Sequence, residues 1–247
     1  MLKYQSNSIM IRLLILIPLL TITSNYSFCQ NQNGISDFTF KTKVDNGGIY
    51  GLDPLLYNGI LYKAYYPEKV KGNQYLANST YEKGEVTIRG VKFKDLDLNF
   101  DIYKQEILLK YFSSNNAYNV IIVSKAWLEN FTIGNKRFEF YSTPETANRI
   151  YQVIGNDSIK LFYYWKKDLL LDNTTYANSN LRFISKTQQY VLINKSLNKF
   201  HNNRSFVHLF VKEKQPIIKK YLRQYRIKVN SEQDQIMEEL INYCSKL

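Results

Sequence analysis

The stretch DLDLNFDIYKQE, residues 95–106, places oxygen-bearing side chains as a calcium loop would: Asp95, Asp97, Asn99 and Asp101 at alternate positions and Glu106 at the twelfth. A helix–loop–helix calcium site turns sharply at a glycine in its sixth place. Here that place holds Phe100. Leu96, Leu98, Phe100 and Ile102 alternate with the polar residues, which is the period of a strand with one dry face and one wet face. Acids on such a face stand roughly 7 Å apart and do not converge on one ion. Pairing with lysines on adjacent strands is their expected use.

Other chemistries are no better supplied. His201 and His208 are the only histidines, and no HExxH or cysteine pair is present, so neither a metal site nor a cofactor is expected. His208, set among Phe206, Val207, Leu209 and Phe210, reads as a partly buried packing residue. Cys244 falls on an apolar stripe without a basic neighbour, a poor setting for a nucleophile. GxSxG, SxxK and phosphate-cradling glycine loops are missing. A carboxylate pair for glycoside hydrolysis needs no fixed spacing, and Asp53, Asp97, Asp101, Glu139 and Asp172 are all available, so none stands out and no catalytic residue is expected.

The elements that must position these residues follow from periodicity. From Phe38 to Ile193 short apolar runs of period two are separated by turn residues. Asn58-Gly59 within LLYNGILY predicts a tight hairpin over residues 55–62, and Arg89-Gly90 and Gly134-Asn135 predict two more. SIKLFYYWKKD, residues 158–168, sets Ile159, Leu161, Tyr163 and Trp165 on one face and Lys160, Phe162, Tyr164 and Lys166 on the other. One face must line a core. Phe162 and Tyr164 then either form an aromatic platform able to stack on sugars or lie beneath another part of the chain.

After residue 199 the period becomes helical. Pro216 suits a first turn, and Ile217, Ile218, Tyr221, Leu222 and Tyr225 form a stripe turned from the basic Lys219, Lys220 and Arg223. Ser231 can cap a second helix carrying Ile236, Met237, Leu240, Ile241 and Cys244, whose acids Glu232, Asp234, Glu238 and Glu239 are expected to attract the first helix. The expected fold is mainly β: an antiparallel hairpin meander forming a barrel or sandwich over residues 30–199, with a C-terminal pair of α-helices, residues 200–247, packed on it.

Residues 1–29 read as a signal peptide: Lys3 and Arg12 precede the apolar run Leu13–Ile22, which is too short to span a bilayer, and Ser27 and Cys29 suit cleavage before Gln30. Phe28 disfavours lipoprotein anchoring at Cys29. Cleavage leaves Cys244 without a disulfide partner and no transmembrane span, and places the protein in the periplasm, at the outer envelope or outside the cell. The whole chain has a formal net charge of +12, with lysines scattered in ones and twos. An exported basic chain meets an envelope protein or an anionic glycan or lipid, whereas export argues against nucleic acid.

The succession LLYNGILY, KGNQYL, GEVTIRGVKFKDLDLNFDIYKQEILL, FTIGNKRF, RFISKTQQYVLINK and IIKKYLRQYRIKV, running from about Leu55 to the C-terminus, resembles a family of exported proteins of Bacteroidetes bacteria. Phe93 and Phe100 stand where that family's pattern has tyrosine. The resemblance implies an envelope or secreted location and repeated β-hairpins, and it assigns no activity. The first functional expectation is a non-catalytic cell-envelope protein acting through protein–protein contact or envelope organisation. A glycan- or lipid-binding module is the second, and a glycan-directed hydrolase the third. The residues expected to touch a partner or ligand are Phe162, Tyr164, Lys219, Lys220 and Arg223.

Overall fold

The structure, a computed structural model, describes residues 53–64, 66, 70–112, 117–143, 146–155, 158–172 and 180–247. All of them belong to one compact unit, Thr42–Leu247. The expected leader, residues 1–29, lies outside the described residues.

Strands occupy the chain to Phe200 and helices follow. The first strands are β1 (Ile60–Leu61), β2 (Val70–Lys71), β3 (Glu82–Ile88), β4 (Val91–Asp101), β5 (Glu106–Phe112), β6 (Tyr118–Ile122) and β7 (Leu128–Ile133). They continue as β8 (Lys136–Thr143), β9 (Thr146–Ile154), β10 (Lys160–Tyr164), β11 (Lys167–Asp172), β12 (Asn180–Ser185), β13 (Gln188–Ile193) and β14 (Ser196–Phe200). One long antiparallel sheet runs β1-β6-β5-β4-β3-β7-β8-β9-β10-β13-β14, and a small one runs β11-β12-β2, with β2 parallel to β12. The long sheet is open, with β1 and β14 as its edges, so it is not a closed barrel. The mainly antiparallel β class read from the alternation is the class observed.

Turn chemistry explains two of the expected hairpins. Arg89 (φ 49°) and Gly90 (φ 76°) both take the left-handed conformation that a two-residue turn between β3 and β4 requires. Gly134 (φ 55°) serves the turn from β7 to β8. The hairpin expected over residues 55–62 does not form. Asp53 instead closes a tight turn, accepting from the Leu55 N–H at 2.8 Å through its side chain and from the Leu56 and Tyr57 N–H groups through its carbonyl. Leu56 enters the core, and Ile60–Leu61 pairs with Ile122 and Ile121 of β6. Gly59 is needed for close approach: a Cβ there would stand 1.9 Å from the Ile122 carbonyl oxygen.

The Asp95–Glu106 stretch is a strand as far as Asp101, a turn, and the start of β5. Asp95 (φ 57°) adds one residue to β4 opposite β3, where Gly84 faces Leu96 but Val86 faces Phe93, and this bulge turns both Phe93 and Leu96 inward. Asp97 pairs with Lys83 of β3 at 2.8 Å, the expected cross-strand use. Asn99 and Asp101 depart from the expected wet face. Asn99 donates to the carbonyls of Asn78 and Thr80, and Asp101, 0% exposed, accepts from the Tyr62 hydroxyl at 2.7 Å and from the N–H groups of Tyr103 and Lys104.

Two large apolar cores, and a smaller cluster of Tyr151, Val153 and Phe162, share one sheet. Leu98, Phe100, Phe131 and Phe138 centre the first, and Leu161, Tyr163, Val191 and Phe200 build the second with the helices; Trp165 packs against both. Helices α1 (Asn203–Val207), α2 (Gln215–Gln224) and α3 (Asp234–Ser245) close the chain, one more than the expected pair. α3 does not start at Ser231: its N-cap is Gln233, while the Ser231 hydroxyl donates to the Lys228 carbonyl and Glu232 accepts the Lys228 N–H.

Candidate anion-binding cleft

The residues after β14 build a concavity from short-range bonds. The Asn202 side chain accepts from the Ser205 N–H and the Ser205 hydroxyl accepts from the Asn202 N–H, a reciprocal cap that starts α1 despite its brevity. Asn203 then reaches across to the chain leaving α2. Its amide donates to the Ile227 carbonyl at 2.6 Å and its oxygen accepts from the Val229 N–H at 2.9 Å. Gln215 fixes the other end by donating to the Phe210 carbonyl at 2.8 Å. Phe206, Val207, Ile218 and Leu222 are buried between the elements. Pro216, in the first turn of α2, supplies preset helical geometry.

Between α1 and α2 lies a cleft of about 800 Å³ whose apolar lining includes Val207 and Leu222. Arg204 and His208, four residues apart, form one wall; Lys219 and Arg223, also four apart, form the other; Lys212 stands on the connection. Among the described residues, no carboxylate lines it. Among the described residues, no ion pair involves any of these five side chains. Lys219 and Arg223, like charges four residues apart, repel along α2, and the first turn of α2 carries no acid to meet its amide ends. Gathered around one hollow, these groups supply donors for phosphate or carboxylate oxygens, the arginines as planar forks and the lysines as point charges.

The expected attraction between the acids of α3 and the basic α2 forms no ion pair among the described residues. Asp234 pairs with Lys136 of β8 and accepts from Gln152, whose oxygen takes the Trp165 indole N–H at 2.8 Å. α3 meets α2 through apolar residues of the shared core and through the stacked rings of Tyr221 and Tyr243, 4.1 Å apart. Among the described residues no ion pair joins the two helices.

The site residues expected from the sequence separate into three places. Lys219 and Arg223 line the cleft. Lys220 lies on the opposite flank of α2, beside Tyr221 and Tyr243. Phe162 and Tyr164 are on the other face of β10 from Leu161 and Tyr163, the pair that packs with the helices. Phe162 is 2% exposed, edge-on to Tyr141 and Tyr151, so it offers no open ring face to a sugar. Tyr164 is half-buried, with the Arg149 guanidinium 5.0 Å above its ring. Of the two expectations for this face, Phe162 meets the second, lying beneath the aromatic side chains of Tyr141 and Tyr151.

His208 corrects a second expectation. It is exposed at the end of α1 and lines the cleft, because the helix stops after Val207 and turns its apolar neighbours inward. Arg204 and Lys212 were not singled out by sequence; the Asn202–Ser205 cap followed by Arg204 and His208 at helical spacing is the signal that would have found them.

The carboxylates available for acid–base work are dispersed in structural roles: Asp53 in its turn, Asp97 on Lys83, Asp101 on Tyr62, Glu139 on Arg137. Asp172 ends β11. Among the described residues, no group of three His, Cys, Asp or Glu could hold a metal ion. Cys244 is 0% exposed, and burial pushes its thiol up to about 12, which removes it as a nucleophile. Among the described residues no helix is long and apolar enough to cross a membrane. Comparison with protein families, curated proteins and solved structures finds no match.

Proposed function

We propose that this chain is an exported binding protein that holds the anionic groups of a cell-envelope ligand in the cleft between α1 and α2. The observation that carries the reading is the convergence of Arg204, His208, Lys212, Lys219 and Arg223 on one concavity that no acid lines among the described residues. The leader-like segment at Lys3–Cys29 and the resemblance to exported proteins support the location. The cleft's volume lies in the range of ligand sites. A partner protein would need a broader interface, on the order of 1,000 Å² or more. Ligand binding is therefore favoured over the scaffold reading.

Each charge-assisted hydrogen bond to a bound oxyanion contributes roughly 1.5–3 kcal/mol. The test is the affinity of the purified chain for inorganic tripolyphosphate by calorimetry. We expect Arg223→Glu to weaken binding at least tenfold and added salt to weaken it further, while Lys186→Glu, the same charge change on an exposed residue between β12 and β13, has little effect. Equal losses from the two variants would reduce the attraction to net charge and reject the cleft.

A further inference from the structure

The opposite flank of α2 holds a second hollow of about 410 Å³, and Pro216 borders both. Its chemistry differs. Tyr221 and Tyr243 stack with centroids 4.1 Å apart and planes 18° apart, and Tyr225 continues the series at 4.6 Å from Tyr221. Ile217 and Lys220 complete the rim. Around one turn of helix the surface thus passes from guanidinium and ammonium groups to the half-buried side chains of Tyr221 and Tyr243 with a single ammonium beside them.

Resting on the anion-binding reading above, we propose that the ligand is an acidic oligosaccharide: its phosphate, sulfate or carboxylate groups occupy the basic cleft while a sugar ring lies against Tyr221 and Tyr243. Only a molecule with both a charged end and an apolar ring face uses both hollows. The C–H face of a sugar suits an aromatic side chain, and its hydroxyls accept from a neighbouring ammonium. A bare phosphate would use one hollow alone.

A bilayer surface fits less well. Interfacial helices need a free apolar face, but α2 spends Ile218 and Leu222 on the protein core and turns Lys219, Lys220, Arg223 and Gln224 outward, leaving Pro216 and Ile217 exposed, with Tyr225 just past its end. Charge complementarity selects an acidic partner, and the tyrosine stack selects a saccharide among acidic partners.

The experiment compares three probes on the whole chain: a heparin-derived tetrasaccharide, inorganic tripolyphosphate, and vesicles of phosphatidylglycerol. Tyr221→Leu and Tyr243→Leu keep apolar volume while removing the ring, and thermal unfolding verifies that each variant folds. The expected result is that either variant weakens tetrasaccharide binding roughly three- to tenfold and leaves tripolyphosphate binding unchanged. Arg223→Glu weakens both. Tetrasaccharide binding untouched by folded tyrosine variants overturns the saccharide assignment and leaves the anion cleft standing, as does vesicle binding stronger than tetrasaccharide binding. Failure of every probe overturns both readings. If one tyrosine variant does not fold, the other and Lys220→Gln, on an exposed residue, carry the test.

Discussion

Buried oxygens decide much at the residue scale. Asp101 spends both carboxylate oxygens, one on Tyr62 and one on the turn that follows β4, and Gln74 donates in turn to the Tyr62 hydroxyl. Burial, and then the bond to Asp101, raise the Tyr62 phenol far above its ordinary value, so it stays a donor. Glu106, next to the same turn, is less well served: one of its oxygens is buried with no hydrogen-bond partner among the described residues. Burial raises its carboxyl above the ordinary 4.5, Lys104 opposing and Asp101 adding to the effect. A carboxyl with a raised folded pKa holds its proton more tightly folded than unfolded, so stability falls as pH rises through that window. Glu106→Gln removes the charge and should raise the urea midpoint near pH 7, with the gain shrinking toward pH 4. A gain independent of pH would show that the buried charge is not its source. The sequence displays these acids as a regular alternation; which of them become buried depends on Tyr62, Asn78 and Thr80 reaching the strand, a long-range event that period two does not encode.

Elements were legible where turn chemistry is local. Arg89-Gly90 carries its own positive φ angles, and the pattern on either side agrees with it. Asn58-Gly59 offers the same local signal, yet Asp53-Pro54 upstream forms a competing turn and Leu56 gains more by entering the core than by pairing across a hairpin. Asn194 (φ 50°) and Lys195 (φ 63°) make the turn from β13 to β14 without a glycine, which is why no sequence signal marked it. The role of Gly59 is testable. Any side chain there strikes the backbone of β6 at Ile122, and backbone cannot rotate away. Gly59→Ala should cost about 1–3 kcal/mol in urea unfolding, the usual range for overpacking. An unchanged stability would mean that the β1–β6 edge yields freely. The candidate site shows the same division between local and distant causes: the basic wall on α2 was legible because its stripe is helical, whereas the facing wall needed α1, too short for its period to register.

At the scale of the whole molecule, two cores are tied by one polar chain. Trp165 packs against both, donates its indole N–H to Gln152, and Gln152, 2% exposed, donates to Asp234 at the start of α3. Separating α3 from the sheet would leave the amide N–H of the buried Gln152 without its Asp234 partner, a cost that resists local opening. The helices carrying the cleft should therefore open only when the sheet does. Cys244, buried on the sheet-facing side of α3, reports this directly: in a Cys29→Ser form of the chain it is the only thiol. The free energy of its labelling by a thiol reagent should match that of global urea unfolding. Gln152→Ala should separate the two, making labelling easier than unfolding by about 1.5–3 kcal/mol, the usual contribution of a hydrogen bond to a charged group such as Asp234. If labelling in the unaltered chain is already easier than unfolding, the helical segment opens on its own, and the cleft between α1 and α2 is not held rigid by the sheet beneath it.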